Sequence, residues 1–104
     1  MTSPEYRVQA TDAFEEDLTA ATKYMLDSAG RLSAKRFLDR YAEMRLLLSA
    51  FPFHGSPVGA GGLRWRELNP FTAVYEIDEK RRSVTLLRLH YRASNWRTDL
   101  IGVE

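Results

Sequence analysis

Basic, aromatic and polar side chains are concentrated near the end of the sequence, in LRLHYRASNWR at residues 87–97. The imidazole of His90 can act as an acid or a base near neutral pH, because its unperturbed pKa is about 6.5. The guanidinium groups of Arg92 and Arg97 can bind phosphate or carboxylate groups through paired hydrogen bonds. The other members of this cluster are Tyr91, Asn95 and Trp96. The cluster either closes the core or contacts a target molecule.

Arginine outnumbers lysine in the second half of the sequence, although the net charge of the whole chain is only +1. Arg64 and Arg66 lie two residues apart in one predicted strand, and Arg88 lies in another. If the registers of these strands agree, the three arginines share a sheet face and form a positive groove for phosphate groups or an acidic peptide. In the alternative arrangement, they are scattered or pair with Glu67 and Glu76.

The remaining titratable residues do not indicate a metal site or a cofactor. His54 lies in a segment rich in glycine and proline, with no second ligand nearby in the sequence. The acidic run of Glu15, Glu16 and Asp17 is explained by the favourable position of negative charge near a helix N-terminus. The sequence has no cysteine, which excludes disulfides and thiolate sites. We therefore expect neither a metal nor a cofactor.

Neither export nor membrane insertion is indicated by the sequence. MTSPEYRVQA lacks the apolar core of a signal peptide. No apolar run approaches the roughly 18 residues that a membrane span needs. A chain of 104 residues, 44% hydrophobic and 28% charged, fits a single globular domain spanning residues 1–104. A chain without cysteine also suits a reducing cytoplasm, which is the expected location.

A short strand at residues 6–10 is predicted first, followed by a helix that begins within TDAFEED. Asp12, with Glu15 three residues later, matches a capping box, and Gly30 is typical of a helix C-cap. Spacings of three and four residues place the apolar side chains on one helix face. These side chains belong to Phe14, Leu18, Ala21 and Met25.

A second helix is predicted up to Pro52, which ends it. Ser33 is the expected N-cap, and Leu32 and Phe37 occupy the positions of a hydrophobic staple. An apolar stripe with helical spacing is formed by Phe37, Tyr41, Met44, Leu48 and Phe51. Because only a few residues separate the two helices, we expect an antiparallel helix hairpin.

A loop at residues 52–62 precedes three predicted strands, at residues 63–68, 71–77 and 83–90. Their short connections require antiparallel pairing. Alternation in the last strand places on one face Thr85, Leu87 and Leu89. The predicted fold class is α+β: a strand, a two-helix antiparallel hairpin and a three-strand antiparallel meander, with the helices packed on one face of the sheet.

This order of elements resembles the RelE/ParE superfamily of toxins from bacterial toxin–antitoxin pairs. The resemblance covers nearly the whole chain, through TDAFEEDL, LRWREL, FTAVYEID and SVTLLRLHYRASNW. It implies that a small antitoxin, whose C-terminal segment wraps the toxin, holds the protein inactive. RelE-like members bind the ribosomal A site and cut mRNA, whereas ParE-like members poison DNA gyrase and are not nucleases.

The sequence departs from RelE-like ribonucleases at two positions. Those toxins tend to carry a catalytic arginine just after the aromatic residue of the Val-Tyr strand, and the matching residue here is Thr72. Their late catalytic tyrosine matches a position near Thr98. The segment HYRASNW at residues 90–96 resembles the ending of ParE-like proteins. The resemblance therefore favours a ParE-like toxin that inhibits gyrase and replication by binding and is not an enzyme.

Two alternatives stay open at this point. In a ribosome-dependent mRNA interferase, a ribose 2′-hydroxyl attacks the adjacent phosphate while Arg64, Arg66 and Arg92 stabilise charge and His90 moves protons. In the second alternative, the chain is a non-toxic relative that only pairs with an antitoxin. The partners expected are thus an antitoxin and either gyrase or the ribosome with mRNA, and neither a membrane nor a small-molecule substrate. The residues expected to contact the target or the antitoxin are Arg64, Arg66, Arg88, Tyr91, Arg92, Asn95, Trp96 and Arg97.

Overall fold

The computed structural model describes residues 5–91, which form two α-helices and a five-stranded mixed sheet. The elements in chain order are β1 Arg7–Ala10, α1 Asp12–Ala29, α2 Arg31–Ala50, a 3-10 turn at Pro52–His54, β2 Ser56–Pro57, β3 Leu63–Leu68, β4 Phe71–Asp78 and β5 Ser83–Tyr91. The strands lie in the order β1-β5-β4-β3-β2. β1 runs parallel to β5, and the other pairs are antiparallel. The predicted α+β fold, with its helix hairpin and meander, is confirmed.

Within the described residues, the sheet has one strand more than predicted. Ser56 and Pro57, inside the predicted loop, pair with Trp65 and Arg64. The backbone N–H of Val58 continues the contact by donating to the carbonyl oxygen of Leu63 at 2.9 Å. A strand of two residues shows no alternation in the sequence, so its pattern could not distinguish it from the loop.

Helix α1 is capped by Thr11 and not by Asp12, which corrects the predicted capping box. The Thr11 side-chain oxygen accepts a hydrogen bond from the Phe14 N–H at 3.0 Å. The same hydroxyl donates to the carbonyl oxygen of Leu87 in β5 at 3.0 Å. Thr11 takes this position because its backbone is extended, with a ψ of 162°, as a helix N-cap requires. The cap therefore also fixes the start of α1 to the sheet.

The connection between the helices is a single residue, Gly30, which was predicted as the C-cap of the first helix. Its φ of 93° lies in the region that glycine adopts without a steric penalty. The second helix starts directly at Arg31, so the predicted Ser33 cap is wrong. The predicted hydrophobic staple is also wrong, since Leu32 is 58% exposed. Both predictions assumed a longer connection than the glycine turn needs.

The main core lies between the helix hairpin and one face of the sheet. Both predicted apolar stripes contribute to it, through buried Phe14, Ala21, Phe37, Met44 and Leu48. Leu18, Met25 and Tyr41 pack at its border. Phe51 does not join the stripe, because α2 ends at Ala50 and the Phe51 side chain is 63% exposed. The core therefore holds both helices against the strands.

A β-bulge changes the predicted faces of β5. Tyr75 pairs with Leu86 and the preceding Val74 pairs with Arg88, so Leu87 is an extra residue in this strand. Beyond the bulge the alternation shifts by one position. Leu89 is therefore buried in the main core, and its predicted place beside Thr85 and Leu87 is wrong.

The opposite face of the sheet carries a smaller apolar cluster. Val58 and Val74 are buried there, and Leu63 and Trp65 pack against them. Neither of the helices in residues 5–91 is long and apolar enough to cross a membrane.

Candidate functional site

The hydroxyl of Tyr75 holds the turn that follows α2. It accepts a hydrogen bond from the Gly55 N–H at 2.9 Å and donates one to the carbonyl oxygen of Pro52 at 2.8 Å. Burial raises the pKa of Tyr75, although the Gly55 N–H and the positive charges of Arg64 and Arg66 act in the opposite direction. The phenol is therefore neutral at physiological pH and donates its proton to the turn.

Arg64 reaches this turn from β3. Its Nε donates to the carbonyl oxygen of Gly55 at 2.9 Å, and its Nη2 donates to that of Phe53 at 3.3 Å. The guanidinium also lies over the Phe53 ring, 5.2 Å from the ring centroid. A stack of this kind orients the planar cation without neutralising it.

Arg66 lies two residues further along β3 and bonds to His54. Its Nη1 is 2.8 Å from the His54 Nδ1. A guanidinium has no lone pair to share, so Nδ1 must accept the hydrogen bond. The tautomer of His54 that makes this hydrogen bond carries its ring proton on Nε2. This arrangement leaves Nε2–H as a donor for a further group.

Arg66 and His54 line a groove of about 460 Å³ beside β3. Arg40 borders it from α2, where its Nη2 donates to the carbonyl oxygen of Asn69 at 2.8 Å. Glu67 is the carboxylate in its lining. We name this feature the Arg66 groove, defined by Arg40, His54, Arg66, Glu67 and Asn69.

The arginines around the turn have neutral hydrogen-bond partners. Within residues 5–91, no carboxylate forms an ion pair with Arg40, Arg64 or Arg66. Arg88 differs, since its Nε lies 2.7 Å from a carboxylate oxygen of Asp17 in α1. Uncompensated positive charge is therefore concentrated beside β3, where an anionic group would find several N–H donors.

Arg64, Arg66 and Arg88 do not share a sheet face, contrary to the hypothesis drawn from their positions. Arg64 pairs across the ladder with Tyr75, on the face that the helices cover. Arg88 pairs with Val74, on the opposite face. The β5 bulge fixes this separation, and Arg88 instead links the sheet edge to α1.

Asp17 accepts hydrogen bonds from Arg88 and from the backbone N–H of Leu89, the latter at 3.0 Å. Partial burial raises the pKa of Asp17. The hydrogen bonds from Arg88 and Leu89, with the positive charges of Arg88 and His90, outweigh this effect and lower the pKa below its ordinary value. Asp17 therefore accepts specific hydrogen bonds from β5, and its position near the N-terminus of α1 is not its only role.

His90 in β5 is separated from the arginines of β3 by the intervening strand β4. It pairs with Thr72, whose neighbours Ala73 and Phe71 face the main core, so His90 and Arg66 project from opposite faces. Tyr91 packs edge-on against Tyr24 in α1, with ring centroids 5.6 Å apart. The remaining predicted contact residues lie outside the described residues: Arg92, Asn95, Trp96 and Arg97.

The sequence did not indicate three residues of this site. In the sequence, His54 lies in a loop without a neighbouring ligand, and Tyr75 is one of the apolar residues that alternate along a predicted strand. Arg40 is one of several charged residues of a predicted helix. The roles of Tyr75 and His54 depend on the turn at residues 52–55, and Arg40 is held at the groove by its hydrogen bond to Asn69. The described residues contain no group of three or more His, Cys, Asp or Glu side chains that could hold a metal ion.

Solved structures of toxin–antitoxin proteins share this fold. The ParDE system from P. aeruginosa gives a TM-score of 0.70 at 20% identity, over 86% of this chain and 98% of that chain. The RelBE2 complex from Mycobacterium tuberculosis gives 0.66 at 23% identity, over 89% and 98%. The RelE–RelB complex from Pyrococcus horikoshii gives 0.62 at 20% identity, over 85% and 96%.

The sequence itself gives the family assignment. None of the curated proteins matches it significantly. A family model described as "ParE toxin of type II toxin-antitoxin system, parDE" matches residues 8–96, which is most of the chain. The helix hairpin and the meander lie within this match, and so does β1 apart from its first residue, Arg7. The chain therefore belongs to the ParE family of toxins of type II toxin–antitoxin systems.

Proposed function

We propose that this toxin inhibits DNA gyrase, and through it replication, by binding and not by cutting RNA, and that a cognate antitoxin neutralises it. The observation that carries the proposal is the separation of His90 from Arg64 and Arg66 on opposite faces of the sheet. A ribonuclease needs its acid–base group and its charge-stabilising groups around one phosphate. The described part of the predicted nuclease set does not meet this requirement.

Thr72 supports the same proposal. It occupies the position where RelE-like toxins tend to carry a catalytic arginine, and it is only 5% exposed in the middle of the sheet. A buried threonine supplies no positive charge to a phosphate. The proposed action by binding needs no catalytic group at this position.

A cognate antitoxin is proposed because the solved relatives are described as a ParDE system, a RelBE2 complex and a RelE–RelB complex. The surface of this chain is also suited to a protein partner. Exposed apolar side chains include Leu46, Phe51 and Phe53. Arg64 lies over the Phe53 ring, and the cations of β3 lack carboxylate partners within residues 5–91.

The target is tested by pulse labelling of cells just after the toxin is induced without its antitoxin. DNA and protein synthesis are followed in parallel, and purified gyrase is assayed for supercoiling with added toxin. We expect DNA synthesis to stop first and supercoiling to be inhibited. An early arrest of protein synthesis with unaffected gyrase would contradict the gyrase proposal. If neither synthesis is affected, the chain is a non-toxic relative that only pairs with an antitoxin.

A second candidate function is ribosome-dependent mRNA cleavage, with a different histidine from the one predicted. The Arg66–His54 hydrogen bond places an imidazole beside a guanidinium on one groove. In this candidate His54 moves the proton and Arg66 stabilises the phosphate charge. Cleavage of ribosome-bound mRNA should then fall about 100-fold or more in His54→Ala and stay unchanged in His90→Ala. Absence of cleavage by the unmodified toxin excludes this candidate.

A further inference from the structure

We propose that the Arg66 groove is an anion site that takes a single carboxylate side chain, Asp or Glu, of the antitoxin. The inference rests on the proposed antitoxin and adds to it the position and chemistry of one anchoring contact. Four features of the groove support it: its N–H donors, their lack of charge compensation, the carboxylate in the lining and the neighbouring apolar surface.

The donors of the groove come from two sides. His54 offers Nε2–H, because its Nδ1 is occupied by Arg66. Arg66 has further N–H groups on its guanidinium, and Arg40 adds another guanidinium from α2. Cationic and neutral N–H donors of this kind bind one carboxylate through short, charge-assisted hydrogen bonds.

The charge of Arg66 is not compensated within residues 5–91. Its acceptor there is the imidazole Nδ1 of His54 and not a carboxylate, and its Nε is buried without a hydrogen-bond acceptor in the described part of the chain. Partial burial of a guanidinium costs free energy, and this cost is larger when no anion lies beside the group. A carboxylate on the accessible Nη side would offset part of that cost, because the charge is delocalised over the guanidinium.

The lining favours one carboxylate over a nucleic-acid backbone. Glu67 borders the same groove, and its negative charge would repel a chain of phosphates that runs along it. The whole chain has a net charge of only +1, which provides little general attraction for a polyanion. A protein segment with one acidic residue can keep its own carboxylate on the Arg66 side, away from Glu67.

Apolar surface adjoins the groove and suits a peptide. His54 also lines a neighbouring cavity of about 430 Å³, together with Ala50, Phe51, Pro52 and Phe53. Phe51 is 63% exposed and Phe53 is 50% exposed. We therefore infer that the acidic residue of the antitoxin lies next to an apolar residue that covers these rings.

The proposal is tested by calorimetric titration of purified toxin variants with the purified antitoxin. The variants are Arg66→Gln and Arg40→Gln, each of which removes one charge from the groove. The matched control is Arg81→Gln, which removes the same charge from the exposed β4–β5 hairpin. We expect the Kd to rise about tenfold or more for Arg66→Gln, less for Arg40→Gln, and under about twofold for the control.

The acidic partner is then located by neutralising each Asp and Glu of the antitoxin in turn. One of these changes should weaken binding to the unmodified toxin and have little further effect on binding to Arg66→Gln. Thermal unfolding of each toxin variant shows whether it is folded. If Arg66→Gln is unfolded, the Kd of Arg40→Gln tests the proposal instead. Arg40 lies on the exposed surface of α2, so its substitution should leave the protein folded.

Three results would overturn the proposal, and each differs from the others. If both groove variants bind the antitoxin as the Arg81 control does, the groove is not an antitoxin contact. If a uridine homopolymer binds the toxin and only this binding is lost in Arg66→Gln, the groove is a phosphate site. If the unmodified toxin does not bind the antitoxin at all, the proposed partner itself is wrong.

Discussion

Tyr75 connects the core to the turn through one hydroxyl, which bonds both Gly55 and Pro52. Tyr75→Phe keeps the ring in the core but leaves a buried N–H and a carbonyl oxygen without partners. We expect the free energy of unfolding to fall by about 1–3 kcal/mol. Urea denaturation at neutral pH measures the change.

Tyr24→Phe is the matched control for this prediction, since Tyr24 is 44% exposed and its loss of a hydroxyl should cost little. Equal stabilities of the two variants would show that the hydroxyl of Tyr75 does not hold the turn. The Arg66–His54 hydrogen bond should also be lost in the Tyr75 variant, because both groups depend on the position of residues 52–55.

Individual residues of the site differ in how far the sequence could predict them. Arg64 and Arg66 were expected together, because a spacing of two places both side chains on one face of any strand. His54 could not be placed, because a turn rich in glycine and proline has no periodicity from which its direction follows. Its role appears in the structure through Arg66, which is 12 positions away in the sequence.

At the scale of elements, Asp17 joins α1 to the exposed edge of β5. It bonds Arg88 and the Leu89 N–H, and its side chain is 19% exposed. We expect Asp17→Asn to lower the free energy of unfolding by about 1 kcal/mol at neutral pH, a value kept small because Arg88 is partly exposed to solvent. Asp27→Asn, which breaks the exposed pair with Lys23, should leave the free energy of unfolding nearly unchanged.

The Asp17 contact also predicts a dependence on pH. Its pKa is lower in the folded protein than in the unfolded chain. The stabilisation is therefore fully present above the unfolded value of about 3.9, and is lost as pH falls through the lower folded value. Denaturation of the unmodified protein and of Asp17→Asn should show a stability difference at pH 7 that shrinks towards zero in strong acid. A difference that is independent of pH would contradict this account.

The helices and long strands were predictable because their apolar spacing is regular over many residues. The bulge in β5 could not be predicted, because SVTLLRLHY contains two adjacent leucines and a third two positions later. From the sequence alone, either of the adjacent leucines could face the core together with Leu89. The pairing of β4 with β5 decides between them, since it places both Leu86 and Leu89 in the main core. The same shift separates Arg88 and His90 from the arginines of β3.

At the scale of the whole molecule, one core connects the N-terminal strand, the helix hairpin and the meander. β1 pairs with β5 across 76 positions of sequence, as the contact between Gln9 and Thr85 illustrates. The segment that separates them packs on the same core. Removing a central side chain should therefore destabilise every element together, whereas removing an exposed aromatic ring of similar size should not.

Two phenylalanines at the two ends of the predicted α2 stripe test this expectation. Phe37 is fully buried, and Phe37→Ala should lower the free energy of unfolding by about 3–5 kcal/mol, a large part of the total for a domain of this size. Phe51 is 63% exposed, and Phe51→Ala should change it by less than about 0.5 kcal/mol. Thermal unfolding and hydrogen exchange measure both. Loss of protection confined to α2 in Phe37→Ala would show that the hairpin unfolds separately from the sheet, and would contradict a single core.

Phe51→Ala should keep full protection while it weakens antitoxin binding, since the exposed ring lies beside the Arg66 groove and not in the core.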